Sequence, residues 1–590
     1  MPGGAIWVAD SLNGTVSKID PQTGARERIP VGNEPTDLAP VGRGVWATVL
    51  PSLTSHRGGT LTVIAPPGMP HHFLDNDPAV AWDILPWQLL SLTNDGLVGY
   101  RRVGGPAGTT LVPDLATALP APADGGRTYT FRLRAGIRYS TGMLVRPGDF
   151  RRAIERVFMI DKQRQPDILS FYAGIVGASR CERERGPCNL ARGVVADDAA
   201  GTVTFHLTAP DPGFLYKLAF SWAYAVPTGT PSDEISAAQL PATGPYMTKS
   251  LSQGHAWVLV RNPRFRQWSR QAQPGGYPDR IIVQLGVGPG RAVANVEHGP
   301  ADVLLSAPPA SIGQLATHYT SQLHSGPLAE AMMLVLNTRV APFNKLAVRR
   351  AINYAIDRNR LIALNGGPLT AQTTCQILPP TMPGYHPYCP YTIQPGPSGA
   401  WTAPNLELAK RLVRSSGTRG DHVTVLDSIL GAPFPSLATA RYIVSVLNQI
   451  GYRASLRIAS LETYYNVLGD SRNRVQAGLF GWVQDYPAPS NFIAPLLTCS
   501  SFSPANPNNV NDAEFCDKRI DAQIQQAQSV QVSDPAATAT QWAAIDRELT
   551  DEAPWVPLYN PRDLIVLADR VGNYQFHPYW NVLIDQLWVH

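Results

Sequence analysis

The stretch GWVQDYPAPSNF (residues 481–492) places one acid among aromatic and proline residues. Asp485 follows the strand-like run GLFGWV (478–483) and precedes a Tyr-Pro turn, and no basic residue lies near it in the sequence. Such a carboxylate can act in acid–base catalysis, bind a metal ion or pair with a cationic ligand. It can also cap its own turn. The other residues of the chain help to decide among these roles.

No catalytic or metal-binding motif accompanies this acid. The sequence contains no G-x-S-x-G, H-E-x-x-H or Walker A pattern, and its 12 histidines are scattered. Hydrolysis would require a nucleophile and a base that the sequence does not reveal. We therefore expect a protein that is not an enzyme, without catalytic residues, metal or cofactor, and keep a hydrolase as an alternative.

The six cysteines fall into three neighbouring pairs within loop-like segments. A zinc site would need Cys-x-x-Cys knuckles or added histidines, which these spacings lack. We predict local disulfides, with reduced structural cysteines or other pairings as alternatives. Disulfides are typical of an oxidising, extracytoplasmic compartment, either the periplasm or the cell surface. The predicted pairs are Cys181–Cys188, Cys375–Cys389 and Cys499–Cys516.

Length and charge set further limits on the protein class. A chain of 590 residues exceeds one hydrophobic core and predicts several domains. Its net charge of +4 and its scattered basic residues do not favour nucleic-acid binding. No apolar run is long enough to cross a membrane, and MPGGAIWVAD lacks the features of a signal peptide. We expect membrane association only through partners or a missing upstream segment.

The first 55 residues contain a partial repeat. IWVADSLNGTVSKID (6–20) reads as two strands around Asn13-Gly14, which is typical of a type I′ hairpin. Trp46 repeats Trp7 at a spacing that matches one β-propeller blade. The segment resembles YVTN or NHL-like propeller repeats and predicts a short all-β propeller-like start. An ordinary β-meander is the alternative.

The remaining sequence mixes helical and strand patterns. MMLVLNT (332–338) predicts a buried strand, and residues 346–364 carry a helical apolar stripe that includes Val348, Ala351 and Ile352. Two helix-then-strand passages precede the segment that carries Asp485. These patterns indicate an α/β fold.

Eight motifs in order resemble the family 5 extracellular solute-binding proteins of ABC importers, which include dipeptide- and oligopeptide-binding proteins. The resemblance covers about residues 58–590. The motifs are SLTNDGLVGY, LVPDLATALP, GGRTYTFRLRAGIRYSTG, DFRRAIERVF, ATGPYMTKS, LVRNPRF, LNTRVAPFNKLAVRRAINYAIDR and GWVQDYPAPSNF.

The resemblance implies a two-lobed, periplasmic-binding-protein-like fold of class II with an extra domain. The first lobe would comprise residues 58–97, 210–333 and 552–590, the extra domain 98–209 and the second lobe 334–551. Residues 332–338 and 555–559 would form the hinge crossings between the lobes.

The resemblance also implies a ligand site. In peptide-binding members, the acid that matches Asp485 pairs with the amino terminus of the ligand. Gly481, Trp482 and Tyr486 are the other expected ligand-binding residues, although Trp482 is equally typical of a core aromatic. The disulfide at Cys499–Cys516 would then preorganise the loop that carries the acid.

The expected function is capture of a solute, in particular a peptide, for an ABC transporter permease. Nickel chelates, haem and sugars stay open as ligands, because similar proteins bind them. The alternative is a ligand-sensing domain of a larger propeller-fused receptor or regulatory protein.

Overall fold

The computed structural model describes residues 4–10, 15–31, 35–41, 44–49, 56–67, 75–160, 166–183, 186–252, 254–428, 436–532, 534 and 536–590. Helices and strands alternate along most of this chain. The α-helices are α1 Ile84–Thr93, α2 Pro147–Ile160, α3 Pro166–Tyr172, α4 Ala178–Arg183, α5 Phe214–Lys217, α6 Pro289–Glu297, α7 Ile312–His318, α8 Leu346–Ala355, α9 Arg358–Leu364, α10 Leu406–Ser415, α11 Leu437–Ile450, α12 Leu461–Gly469, α13 Pro489–Leu497, α14 Lys518–Gln531 and α15 Ala539–Glu552.

The strands differ widely in length. They are β1 Ile6–Asp10, β2 Thr15–Ile19, β3 Arg26–Pro30, β4 Pro35–Val41, β5 Gly44–Val49, β6 Thr60–Ile64, β7 Val98–Tyr100, β8 Leu111–Pro113, β9 Thr128–Arg132, β10 Val194–Asp197, β11 Thr202–His206, β12 Tyr246–Ser252, β13 Ala256–Arg261, β14 Arg280–Gln284, β15 Val303–Leu304, β16 Leu323–Pro327, β17 Glu330–Leu336, β18 Ala371–Thr373, β19 His422–Ser428, β20 Arg453–Ala459, β21 Ala477–Val483, β22 Trp555–Leu567, β23 Val571–Gly572, β24 Phe576–His577, β25 Asn581–Val582 and β26 Trp588–Val589.

In the described chain, a mixed sheet of 12 strands connects two parts of the molecule. Its main order is β12-β13-β14-β6-β15-β22-β17-β21-β19-β20, and β16 and β18 also pair with β22. The beginning of β22 pairs with β17, and its end pairs with β15 and β16. We call the part around β6, β12–β16 and the end of β22 the first lobe. The part around β17–β21 and the beginning of β22 is the second lobe.

Strand β17 is buried along its whole length because both of its faces are covered. Met332 and Leu334 face one core of the second lobe, whereas Met333 and Val335 face the other. This alternation follows from the two-residue period of a strand. The buried strand predicted at 332–338 is confirmed, with observed bounds of Glu330–Leu336.

The apolar stripe predicted over residues 346–364 is divided between two helices. Helix α8 ends at Ala355, and Asp357 caps α9 by accepting a hydrogen bond from the backbone N–H of Arg360 at 3.0 Å. An N-cap residue has non-helical backbone, so the chain bends while the apolar spacing continues.

The first lobe has its own large core, which spans the small sheet β9–β11, helix α2 and strands of the main sheet. Two residues of the second lobe, Tyr486 and Ala488, also belong to this core. The segment that follows β21 therefore reaches across to the first lobe and packs there.

Residues 4–49 form two small sheets, the three-stranded β1–β3 and the hairpin β4–β5, in the part of this segment that is described. Strands β1 and β2 pair as a hairpin from Ile6↔Ile19 to Asp10↔Thr15. Its expected turn residues, Asn13 and Gly14, lie outside the described residues. A propeller blade is a four-stranded sheet, so this arrangement does not confirm the propeller-like start.

Three disulfides are formed, and they are the three predicted pairs. None of the helices in the described ranges is both long and apolar enough to span a membrane.

Candidate functional site

The acid singled out in the sequence lies in the connection from β21 to α13. The backbone N–H of Asp485 donates to Asn491 Oδ1 at 2.8 Å, and Asn491 Nδ2 donates back to Asp485 Oδ2 at 2.7 Å. Just before it, Gln484 donates its backbone N–H to Ala329 O at 3.0 Å and its Nε2 to Pro578 O at 3.1 Å. These bonds hold the connection and orient the carboxylate.

Asp485 lines a cavity of about 620 Å³ between the two lobes. Trp482, Tyr486 and Asn491 also line the cavity from the second lobe. The facing wall contains Trp82, Asp211 and Lys217 of the first lobe and Phe171 of helix α3, whose ring packs against the same core as Trp82. Three of the four expected ligand-binding residues thus lie together at one cavity.

Gly481 does not line this cavity. A Cβ built on Gly481 would lie 2.8 Å from Met332 Sδ and 3.9 Å from Glu330 Oε1. A side chain at this position would therefore point towards these two residues of the neighbouring strand β17. Consecutive strand residues point to opposite faces, which separates Gly481 from Trp482. The expected contact between the backbone of Gly481 and a ligand stays a prediction.

Trp482 combines the two roles considered for it. Its ring is half-buried, lies 6.3 Å from Phe480 in a stacked arrangement and packs against a core of the second lobe. The same ring lines the cavity. Its indole Nε1 is buried and makes no hydrogen bond with the described protein.

Tyr486 connects the lobes rather than only lining the cavity. Its ring stacks on Tyr216 of the first lobe, with centroids 5.5 Å apart and an interplanar angle of 15°. A Cβ at Gly213 would lie 2.5 Å from the Tyr486 hydroxyl, so the absence of a side chain there permits the close approach. Burial raises the pKa of Tyr486, and the charges of Asp211 and Asp485 raise it further.

The sequence did not indicate the wall that faces Asp485. Lys217 Nζ lies 2.7 Å from Asp211 Oδ2 and 5.8 Å from the centre of the Phe171 ring. Trp82 stacks on Trp222 at 5.1 Å. These residues precede Asp485 by a large part of the chain, so no local spacing could have associated them with it.

Among the described residues, the edge of β21 that faces away from β17 is open beyond Gly478, beside the cavity. Strand β17 pairs with all of β21, whereas β19 pairs only with Ala477 and Gly478. Within the described ranges, no strand pairs with residues 479–483 on that second edge. Tyr464 donates its hydroxyl to Leu479 O there. An open strand edge presents backbone groups that an extended chain can pair with.

A buried acid, Glu330, lies on the face of the β17–β21 pair that is opposite to Trp482. Glu330 is opposite Val483 in the β17–β21 register and is 4% exposed. Burial raises its pKa to about 8, and the charge of Asp563 adds to the increase. Glu330 is therefore largely protonated at neutral pH.

The disulfide Cys499–Cys516 lies between α13 and α14. The backbone N–H of Cys499 donates to both carboxylate oxygens of Asp521, at 3.2 and 3.1 Å. The segment that follows the acid-bearing connection is thus fastened to α14. The described residues contain no group of three or more His, Cys, Asp or Glu side chains that could hold a metal ion.

Known proteins are similar to this chain in sequence over most of its length. Di/tripeptide-binding protein 4 of Pseudomonas aeruginosa (strain UCBPP-PA14) is 26% identical over 494 residues, covering 81% of this chain and 86% of that protein. Heme-binding protein A of Haemophilus influenzae (strain ATCC 51907 / DSM 11121 / KW20 / Rd) is 24% identical over 491 residues, covering 80% of this chain and 83% of that protein.

Solved structures agree with the two-lobed fold. The structure of clavulanic acid biosynthesis oligopeptide binding protein 2 matches with a TM-score of 0.77 at 24% identity, covering 92% of this chain and 97% of that one. A periplasmic binding protein from Helicobacter pylori in complex with the peptide STSA matches with a TM-score of 0.62 at 20% identity, covering 91% and 99%. The fold is thus that of a periplasmic-binding-protein-like α/β protein.

Neither these relatives nor the matched family support a propeller repeat at the start of the chain.

The match to the family described as bacterial extracellular solute-binding proteins, family 5 (middle region), extends over residues 110–504, which is more than half of the sequence. The chain belongs to the family 5 bacterial extracellular solute-binding proteins.

Proposed function

We propose that this protein captures a peptide in the cavity between its lobes and delivers it to the permease of an ABC importer. The observation that carries the proposal is the position of Asp485, whose carboxylate lines a cavity walled by both lobes. Relatives named as di/tripeptide-binding and oligopeptide-binding proteins support the ligand class.

The amino terminus of the peptide would pair with Asp485. An ammonium group that leaves water needs a compensating charge, because burial of an isolated ion is costly. A charge-assisted hydrogen bond contributes about 1.5–3 kcal/mol. Asn491 holds one oxygen of the carboxylate at 2.7 Å, which reduces the conformational freedom lost on binding.

The backbone of the peptide would pair with the open edge of β21. Residues 479–483 present main-chain groups on that edge, and hydrogen bonds to main chain do not depend on ligand side chains. Trp482 and Tyr486 would enclose the bound chain from the second lobe. Gly481 would contribute backbone to the same edge.

Capture of a ligand between two lobes fits a division of the chain into two lobes and an extra domain. We assign residues 58–97, 210–333 and 552–590 to the first lobe, 98–209 to the extra domain and 334–551 to the second lobe. The crossings between the lobes are then β17 and the beginning of β22, which pack in the cores of the second lobe. Strands β17 and β22 would absorb the change in lobe angle as the protein closes on a ligand. Closure would act outside the cytoplasm, in the periplasm or at the cell surface, where the permease receives the solute.

Haem is the competing ligand class, since one relative is named as a haem-binding protein. Among its described lining residues the cavity has no His, Cys or Met side chain that could ligate haem iron, and its one tyrosine, Tyr486, is 8% exposed and stacks on Tyr216. The charged side chains that line it are Asp211, Lys217 and Asp485. This combination favours a ligand with an ammonium group.

Native mass spectrometry of the purified protein tests the proposal. We expect adducts that dissociate into short peptides, and we expect added tripeptides to form 1:1 complexes. A retained ligand identified as haem, a metal chelate or a sugar, with no binding of added peptides, would overturn it.

A further inference from the structure

We infer that the cavity selects peptides with an aromatic side chain close to their amino terminus, and that Trp82 and Phe171 determine this selectivity. The inference rests on the proposed function and adds the chemical class of the ligand side chain.

The wall of the cavity that faces Asp485 is aromatic and rigidly supported. Trp82 stacks on Trp222 with centroids 5.1 Å apart and an interplanar angle of 16°. Phe171 meets Trp82 edge-on at 5.9 Å and Trp222 at 5.0 Å. Trp222 is 1% exposed and therefore forms a fixed support behind both cavity-facing rings.

Hydrogen bonds fix the backbone beneath this wall. Trp87 and Trp222 both donate their indole N–H to Ala81 O, at 2.7 and 2.8 Å. Ala81 immediately precedes Trp82, so the position of Trp82 is set before any ligand arrives. A preorganised wall loses little conformational entropy when a ring packs on it.

The charges beside this wall balance each other. Lys217 Nζ lies 2.7 Å from Asp211 Oδ2, and Gly213 donates its backbone N–H to Asp211 Oδ1 at 2.8 Å. A neutralised ion pair next to two half-buried rings that line the cavity favours an uncharged apolar side chain. An aromatic side chain packs on such rings in offset or edge-on geometry.

The acid and the aromatic wall face one cavity from opposite sides. A ligand whose ammonium contacts Asp485 therefore places its first side chains between the lobes, within reach of Trp82 and Phe171. An aromatic side chain there would fill space that serine leaves to water.

Calorimetric titration with matched tripeptides tests the inference. The probes are Phe-Gly-Gly and Gly-Phe-Gly against Ser-Gly-Gly and Gly-Ser-Gly, with their N-acetylated forms as a separate arm. We expect the better Phe peptide to bind about ten- to a hundredfold more tightly than its Ser counterpart. The ratio of the affinities for the Phe and Ser peptides should fall to less than about threefold in Trp82→Ala and Phe171→Leu.

Phe265→Leu is the matched control, because Phe265 packs edge-on against Trp268 at 5.1 Å and does not line the cavity. It should keep the full Phe/Ser ratio. Equal affinity of wild type for Phe and Ser peptides, with acetylation still weakening both, would overturn this inference and leave the proposed function intact. No binding of any of these peptides would overturn both.

Discussion

At the scale of single residues, the candidate site divides into a part that the sequence indicates and a part that it conceals. Asp485, Trp482 and Tyr486 stand in one short motif and reach one cavity. Trp82, Phe171 and Lys217 reach it only through the fold, so no spacing in the sequence reveals them. Gly481 belongs to the motif, yet a side chain at this position would point towards Met332 and away from the face that carries Trp482, because strand residues alternate.

Glu330 makes a residue-scale prediction about pH. Its pKa is raised from 4.5 to about 8 in the folded protein, so the folded state binds more protons than the unfolded state between these values. The contribution of Glu330 to the unfolding free energy should therefore fall as pH rises from about 4.5 to 8. Glu330→Gln should remove up to about 1.4 kcal/mol per pH unit of this slope.

Urea unfolding at a series of pH values between these limits would measure the slope. Glu27→Gln serves as the control, since the Glu27 side chain is 66% exposed. Parallel curves for wild type and Glu330→Gln would show that the pKa of Glu330 is not raised by folding.

At the scale of elements, strong local patterns predict helices and strands well, but they do not show where one helix ends and the next begins. The strand-like run at 478–483 is β21, observed at Ala477–Val483. The stripe over 346–364 hid the break at Asp357, because a capping acid fits the polar positions of a helical pattern. Apolar spacing reports which face is buried and does not report where one helix stops.

The disulfides allow a prediction about loop length. Cys499–Cys516 closes a separation of 17 residues, whereas Cys181–Cys188 closes 7. A chain-entropy argument gives losses of about 3 kcal/mol and about 2 kcal/mol on removal. Double Cys→Ser variants should therefore rank in that order in denaturant unfolding of oxidised protein. A larger loss for the Cys181/Cys188 variant would contradict loop closure as the main contribution.

At the scale of the whole molecule, the eight ordered motifs predicted the two-lobed α/β fold, while the start of the chain was less predictable. The repeat of Trp7 and Trp46 suggested a propeller blade, but the described strands there form a three-stranded sheet and a hairpin. Hairpins with alternating apolar residues look alike in sequence whichever sheet they join. Only packing with further strands distinguishes a blade from a meander.

The contact between the lobes makes a prediction about closure. Tyr486 stacks on Tyr216 across the interface, and Gln531 Nε2 donates to Pro212 O at 3.2 Å. An aromatic pair contributes about 0.5–1.5 kcal/mol beyond its buried area. Tyr486→Ala should thus favour separated lobes, seen as a larger radius of gyration in X-ray scattering without ligand.

Tyr319→Ala is the control for this experiment, because Tyr319 contacts His298 on the first lobe and not the cavity. A saturating peptide should restore most of the compactness of Tyr486→Ala. An unchanged radius of gyration for this variant, with or without peptide, would show that the stack does not hold the lobes together.

The central claim is that Asp485 pairs with the amino terminus of a peptide, and a calorimetric cycle tests it most directly. The four titrations combine wild type and Asp485→Ala with a tripeptide that has a free amino terminus and with its N-acetylated form. We predict that either change alone costs roughly 2–5 kcal/mol and that both together cost little more than one. Equal affinity of wild type and Asp485→Ala for the free peptide would contradict the claim.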